Sequence, residues 1–224
     1  MIYFITFLIL SISLWIGNSA LSLFLGMLLA LIYKLPDGFF TQKYGSKILQ
    51  TGIVFLGGSL SIGTVYQTNS DYFVWISVFV VLSFAAVVFL GRLMGVSKKL
   101  SFLLASGTAI CGGTAIASVA PSIKAKPEEL TTAITIIFLL NAIAVLAFPL
   151  SNEYIKLNDV QFGAWAALAI HDTASVVGAA SSVGEVSVEV AATLKVARTI
   201  WIIPLVIFSA WLYRNKNDGF GLPI

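Results

Sequence analysis

The charged residues of this chain are gathered into short clusters, and the segments between the clusters are apolar and about as long as a bilayer is thick. A helix needs roughly 20 apolar residues to cross the ~30 Å of hydrocarbon. Hydrophobic residues make up 58% of the 224 positions and charged residues 10%, which leaves too few polar side chains to cover a soluble domain. The pattern predicts an all-α, polytopic membrane protein with about eight transmembrane helices, in a single domain over residues 1–224.

The predicted spans follow from the apolar runs. The first run contains Gly17-Asn18-Ser19, so it forms either two short helices or one long kinked helix. Two later runs, 100–121 and 162–183, carry glycines and polar residues near their centres. The hinged first run covers Ile2–Tyr33, and the further spans are predicted over Ile48–Tyr66, Phe73–Leu90, Leu130–Pro149 and Val190–Tyr213.

The two interrupted runs are the candidate binding site. Residues 106–116 read Ser-Gly-Thr-Ala-Ile-Cys-Gly-Gly-Thr-Ala-Ile, and residues 169–178 read Ala-Ile-His-Asp-Thr-Ala-Ser-Val-Val-Gly. An interior glycine weakens a helix by roughly 1 kcal/mol. Broken helices in membrane proteins turn free backbone groups toward a cavity, typically at the central site of a transporter. We therefore predict that a solute binds between the breaks at 106–116 and 170–178.

The second break holds the only histidine of the chain, His171, next to Asp172. Ionisable groups inside a span are costly and usually line the path of a substrate, an ion or a proton. The unperturbed pKa of histidine, roughly 6.5, lies near physiological pH. We assign His171, Asp172 and Lys195 to proton or ion coupling. The residues assigned to substrate binding are Thr108, Cys111, Gly112, Gly113, Thr114, Asn141, Thr173, Ser175 and Arg198.

Three of these side chains have two explanations each. Asn141 either hydrogen-bonds a neighbouring helix or lines the cavity. Lys195 and Arg198 lie three residues apart on one helix face, and they either reach out to the interface or supply positive charge to the site.

The sequence favours a transporter over an enzyme. It holds no P-loop, no G-x-S-x-G, no H-E-x-x-H and no paired cysteine ligands, so no catalytic residue, metal or cofactor is predicted. His171, Asp172 and Ser175 could be imagined as a catalytic set. Neighbouring residues of a helix point about 100° apart, however, so Asp172 cannot orient the ring of His171 without a broken backbone.

Lysine and arginine are distributed unequally between the two sides of the predicted topology. With eight crossings, nine loop cations lie on one side and only Lys124 and Lys126 on the other. If both interrupted runs were re-entrant instead, the ratio would become ten to one. Either ratio predicts cytoplasmic termini by the positive-inside tendency. The net charge of +3 is explained by these loops, so it implies no nucleic-acid partner.

Several separated motifs occur in order along the chain, and together with both breaks they resemble the YeiH-type bacterial inner-membrane proteins, a family described as sulfate exporters. The resemblance runs from about Leu21 to Pro204 and implies a secondary transporter with inverted repeats, similar to the bile acid and organic anion transporters. The run Cys-Gly-Gly-Thr-Ala at 111–115 is also similar to the crossing-helix motif of bile acid symporters, which implies sodium coupling as an alternative. The further motifs are Glu128-Glu129, Asn141, Phe148-Pro149, Phe162-Gly163-x-Trp165 and Lys195-x-x-Arg198-Thr199.

The resemblance also implies further helices after Ile224. The chain is then either a fragment or a short form that completes its site as a homo-oligomer. The expected partners are therefore a small anion, a coupling H⁺ or Na⁺, the lipid bilayer and a second copy of the chain.

The function predicted is secondary active export of a small inorganic anion, sulfate or a related oxyanion, across the inner membrane. Each half-helix N-terminus presents roughly half a positive charge, and protonated His171 or Arg198 would bring the total near two. In a first alternative, Asp172 and the oxygens of Thr108, Thr173 and Ser175 bind Na⁺ or H⁺, and the substrate is an organic carboxylate. In a second alternative, the protein is a membrane scaffold that transports nothing.

Overall fold

The computed structural model describes residues 2–16, 25–26, 29, 51 and 62–213. All regular structure among these residues is helical, which confirms the all-α class. Three apolar stretches are long enough to cross a membrane: Tyr72–Leu93, Pro127–Ile155 and Glu185–Leu212. The helices are α1 (Ile2–Ile16), α2 (Ile62–Leu93), α3 (Lys98–Ala109), α4 (Gly113–Val119), α5 (Pro127–Ile155), α6 (Asp159–Ala169), α7 (Thr173–Ala180), α8 (Glu185–Thr199) and α9 (Ile202–Leu212).

The N-terminal predictions are tested only in part. Helix α1 ends at Ile16, directly before the predicted hinge at Gly17, and the hinge lies outside the described residues. Most of the predicted span Ile48–Tyr66 lies outside them as well. The predicted break between Tyr66 and Phe73 is wrong, because α2 runs without interruption through it. The polar residues at 67–71 include neither glycine nor proline, so nothing in them ends a helix.

The first interrupted run folds back on itself as a hairpin. Helix α3 runs toward the centre of the bundle, the chain turns at 110–112, and α4 runs back toward the end where α3 begins. At the base of the hairpin, Ser97 Oγ donates a hydrogen bond to Glu129 Oε1 at 2.6 Å. Lys99 Nζ donates to the carbonyl oxygen of Lys124 at 2.6 Å. The start of α3, the end of α4 and the start of α5 therefore lie at the same end of the bundle.

The second interrupted run is also a hairpin, formed by α6 and α7. Asn158 and Gln161 cap the start of α6 reciprocally, and Asp172 caps α7. A Cβ atom on Gly184, after the end of α7, would lie 2.6 Å from Asp159 Oδ2 at the start of α6. The two ends of this hairpin are therefore adjacent as well.

The two hairpins enter the bundle from opposite ends. Helix α5 connects them, and its 29 residues make it about 44 Å long. Helices α8 and α9 then return, since the ring of Tyr213 lies 5.6 Å from that of Phe102 near the base of the first hairpin. A long helix followed by a hairpin thus occurs twice, in opposite orientations, as α2 to α4 and as α5 to α7. This is the inverted-repeat arrangement that the family resemblance implies.

Two of the three runs predicted to cross the membrane between residues 100 and 183 thus form hairpins, each with both ends at the same end of the bundle. An apolar run of this length fits either one span or two short helices, so length alone did not separate the two. Lys124 and Lys126 lie at the same end of the bundle as Lys98 and Lys99, as the re-entrant alternative expects.

We expect cysteine accessibility to report the hairpin topology. Lys98, Lys126 and Lys156 are all exposed, so each can be replaced by cysteine in a Cys111→Ser background. Cysteines at 98 and 126 should react with an impermeant maleimide from the same side of the membrane, and a cysteine at 156 from the other side. Labelling of 98 and 126 from opposite sides would show that residues 98–126 cross the membrane.

Small residues allow the second hairpin to pack closely against α8. A Cβ atom on Gly163 would lie 2.5 Å from the carbonyl oxygen of Ser187, so α6 and α8 approach to backbone contact there. Buried alanines continue this contact along both helices, among them Ala166, Ala167 and Ala191. The close approach brings the polar residues of α8 up to the tip of the hairpin.

Candidate functional site

The tips of the two hairpins meet at the centre of the bundle, and we call residues 108–112 and 167–172 the hairpin crossing. Arg198 is fully buried there. Its Nε donates to the carbonyl oxygen of Ala109 at 2.6 Å, and its Nη2 donates to that of Thr108. Its Nη1 donates to the carbonyl oxygens of Ala167 at 3.1 Å and Leu168 at 2.7 Å. One guanidinium therefore binds the C-terminal ends of α3 and α6 together.

Lys195, one turn earlier on α8, binds the same crossing. Its Nζ donates to the carbonyl oxygen of Ile170 at 2.7 Å and lies 3.5 Å from that of Ala167. Lys195 is fully buried, so neither it nor Arg198 reaches the interface, as one of the two explanations would require. Lys195 instead caps the negative end of α6, and Arg198 caps those of both α3 and α6.

The buried cations have no carboxylate partner among the residues that the structure describes. The only aromatic contact of Arg198 in this region is with Phe79, whose ring centroid lies 5.1 Å from Cζ. Two helix C-termini supply roughly one negative charge in total, against two positive charges on α8. Asp172 lies half-buried at the edge and caps the N-terminus of α7, which offsets part of its charge. The crossing keeps a positive balance.

His171 is held by Asn141 of α5. The side-chain oxygen Oδ1 of Asn141 accepts the backbone N–H of His171 at 2.9 Å, and it lies 3.1 Å from the ring Nδ1. Asn141 is only 2% exposed, and its Nδ2 has no hydrogen-bond partner among the described residues. Asn141 thus makes the contact with a neighbouring segment that the first of its two explanations expects, and its assignment to substrate binding stays a prediction.

Asp172 contacts the backbone rather than the histidine ring. Its Oδ1 accepts the backbone N–H of Ser175 at 2.9 Å, as an N-cap does. The ring of His171 is turned toward Asn141 instead. These three residues do not form the Asp–His–Ser relay that a hydrolase would use.

The remaining predicted residues are spread over the hairpin tips. Cys111 is buried at the first tip, and Gly112 packs there against His171, since a Cβ on the glycine would lie 3.5 Å from the histidine Cβ. Gly113 opens α4, where Thr114 is exposed. Thr173 and Ser175 are half-buried on α7.

The sequence did not identify the five carbonyl oxygens that bind the two cations, those of Thr108, Ala109, Ala167, Leu168 and Ile170. Every residue carries such an oxygen, so these five become special only because helices end at or next to them. In the described part of the chain, no group of three His, Cys, Asp or Glu residues is placed to hold a metal ion.

Comparisons with known proteins agree with a membrane location. A family model described as "Conserved hypothetical protein 698" matches residues 2–220. A UPF0324 membrane protein of Vibrio vulnificus is 40% identical over 97% of this chain and 70% of its own length. Relatives with the same name from Bacteroides thetaiotaomicron and Geobacter sulfurreducens are 36% and 41% identical, each over 94% of this chain and over 64% and 67% of their own lengths. This chain thus spans about two thirds of the length of these relatives. No solved structure matches it.

Proposed function

This chain belongs to the family described as Conserved hypothetical protein 698, whose members are membrane proteins, and from that premise we propose that it is a secondary active transporter of a small inorganic anion. The anion binds at the hairpin crossing, and H⁺ or Na⁺ is the coupling ion. The proposal includes no enzymatic activity and no cofactor.

The observation that carries this proposal is the pair of buried cations at the hairpin crossing. A charge buried in a membrane is costly unless it is compensated, and such charges usually mark the path of a substrate or ion. Helix ends compensate Lys195 and Arg198 only in part. An anion entering the crossing supplies the missing negative charge, whereas a cation would add to the repulsion.

The topology also suits transport. Inverted repeats with discontinuous helices that meet near the bilayer midplane are a recurrent arrangement of secondary transporters. We place the chain in the inner membrane with both termini in the cytoplasm. The ten-to-one ratio of loop cations in the re-entrant topology supports this orientation, in which Lys98 and Lys126 are on the cytoplasmic side.

The cation-binding alternative is less well supported by the geometry. In that alternative, Asp172 is a ligand of Na⁺, but one of its oxygens already accepts the N–H of Ser175. The fully buried cations of Lys195 and Arg198 would also repel a metal ion in the crossing. An organic carboxylate with a separate sodium site remains the runner-up, followed by a scaffold without transport.

Thermal unfolding of the purified protein tests the proposal. A ligand that binds only the folded state stabilises it by mass action, so inorganic oxyanions should raise Tm beyond the effect of ionic strength. Replacing sodium by choline separates sodium coupling from anion binding. We expect Lys195→Met to weaken anion binding, measured by the shift in Tm, roughly tenfold, because it removes one buried hydrogen bond from a charged group.

Lys156→Met, which removes an exposed lysine, is the control and should leave the anion effect unchanged. An unchanged response of Lys195→Met would contradict a role for this charge in binding. If no anion stabilises the wild-type protein and no anion flux occurs in proteoliposomes, the scaffold alternative stands.

A further inference from the structure

The orientation of the Asn141 amide is fixed by its neighbour. Its Oδ1 lies 2.9 Å from the backbone nitrogen of His171, and a backbone N–H can only donate. If the amide were turned over, its NH₂ group would face that donor. The oxygen therefore faces His171, and both N–H bonds of Nδ2 are directed elsewhere.

The same contact fixes the proton on the histidine ring. Asn141 Oδ1 is an acceptor only, so the ring nitrogen 3.1 Å away, Nδ1, must carry the proton that joins them. In the neutral ring, Nε2 is then the acceptor. No residue in the described part of the chain hydrogen-bonds Nε2. Asn141 and His171 thus form a rigid pair with one free donor group and one free acceptor.

The donor of this pair is buried without a partner. Asn141 is 2% exposed, and Nδ2 makes no hydrogen bond to any described residue. Buried polar groups without partners are rare in native proteins, and each calls for a ligand or a water. Here the unpartnered NH₂ group belongs to the residue that hydrogen-bonds the tip of the second hairpin. A ligand bound at the hairpin crossing is therefore its natural partner.

The charged and titratable groups around His171 set the charge of that ligand. Asp172 adjoins it, Lys195 binds the carbonyl of Ile170 just before it, and Arg198 binds that of Leu168. Across the tip lies Cys111, a thiol. The two cations stand against two helix C-termini and Asp172, whose charge the N-terminus of α7 offsets in part, so the balance is at most about one positive charge, which suits a monoanion better than a dianion.

We propose that the ligand of the crossing is a hydrogen oxyanion, a monoanion that still carries a proton. One of its oxygens accepts from Asn141 Nδ2, and its O–H donates to His171 Nε2. This inference rests on the proposed function, since it names the class of anion that the same site binds. It predicts discrimination against anions that have the same charge and shape but no proton to donate.

Bicarbonate and nitrate are the matched probes, because both are planar monoanions with three oxygens and only bicarbonate has an O–H. Each is titrated against the purified wild-type protein at fixed pH and ionic strength, with Tm as the readout. We expect bicarbonate to bind at least about tenfold more tightly, the worth of one well-made hydrogen bond in a buried site. This comparison uses only the wild-type protein, so it tests the hydrogen-oxyanion proposal even if the variants fail to fold.

Asn141→Asp tests the donor, since it keeps the oxygen that faces His171 and replaces the NH₂ group by oxygen. Binding of bicarbonate should be lost. Asn152→Asp, the same change near the end of α5, should leave it intact. Equal affinity of the wild-type protein for nitrate and bicarbonate would overturn the hydrogen-oxyanion class and leave anion transport standing. Stabilisation by no anion at all would overturn the proposed function itself.

Discussion

Arg198→Met should abolish anion binding and lower the stability of the protein more than any other single change at the hairpin crossing. The guanidinium satisfies carbonyl oxygens at the ends of both α3 and α6, and methionine can satisfy none of them. Each buried acceptor left without a partner costs about 1–3 kcal/mol. We expect the free energy of unfolding to fall by about 3–5 kcal/mol, as when one partner of a buried charged contact is removed. Chemical denaturation in detergent measures it.

Two further variants separate the charge from the shape of the guanidinium. Arg198→Lys keeps the charge, but its three donors share one nitrogen and cannot reach both hairpins at once. It should be intermediate in stability and bind anions weakly. Arg92→Met removes an exposed arginine at the end of α2 and should change little. If Arg198→Lys matched the wild-type protein in stability and in anion binding, the several donors of the guanidinium would not be what joins the hairpins.

The helix breaks could be predicted from the sequence because local chemistry produces them. Gly112 supplies the backbone freedom that turns the chain between α3 and α4, and Asp172 is a residue type that caps helices. The actual turns, at 110–112 and 170–172, lie inside the predicted runs. Composition and apolar length were likewise sufficient for the helical membrane class.

The direction of the chain after each break could not be predicted in the same way. A hairpin and a broken span have the same local sequence, and they differ in contacts such as that of Lys99 with Lys124, which are distant in the chain. The hydrogen-bond partners of Lys195 and Arg198 were missed for the same reason, although both residues were assigned to the site. Their partners are backbone oxygens at helix ends, and these are brought together only when the two hairpins meet.

For Asn141, one feature could be predicted from the sequence and another could not. Its position in an apolar span indicated a polar contact with a neighbouring segment, and that contact is present. From the sequence, that contact and a position lining the cavity were two alternatives. In the structure the two are compatible, because Oδ1 binds His171 while Nδ2 is left for a ligand.

Gly112→Ala should abolish transport while leaving the protein in the membrane, and Gly113→Ala should not. Gly112 has φ of +66° and ψ of −125°, a region that residues with a Cβ avoid. Its added Cβ would also lie 3.2 Å from Ile137 Cγ2, which is tighter than an ordinary contact. The strain costs on the order of 1–3 kcal/mol and displaces the tip from His171, which packs against it.

Gly113 is the matched control for this effect, because it is the next residue and the same substitution adds the same methyl group. Its φ is not positive, and its Cβ would meet the ring of Phe138, with Cζ at 3.4 Å, an ordinary van der Waals distance. Anion-dependent Tm shifts and flux in proteoliposomes should therefore fall at least tenfold in Gly112→Ala and stay near wild type in Gly113→Ala. Equal losses in both would mean that the glycine pair is needed for flexibility along its whole length. Equal retention would mean that the left-handed turn at the first tip does not shape the site.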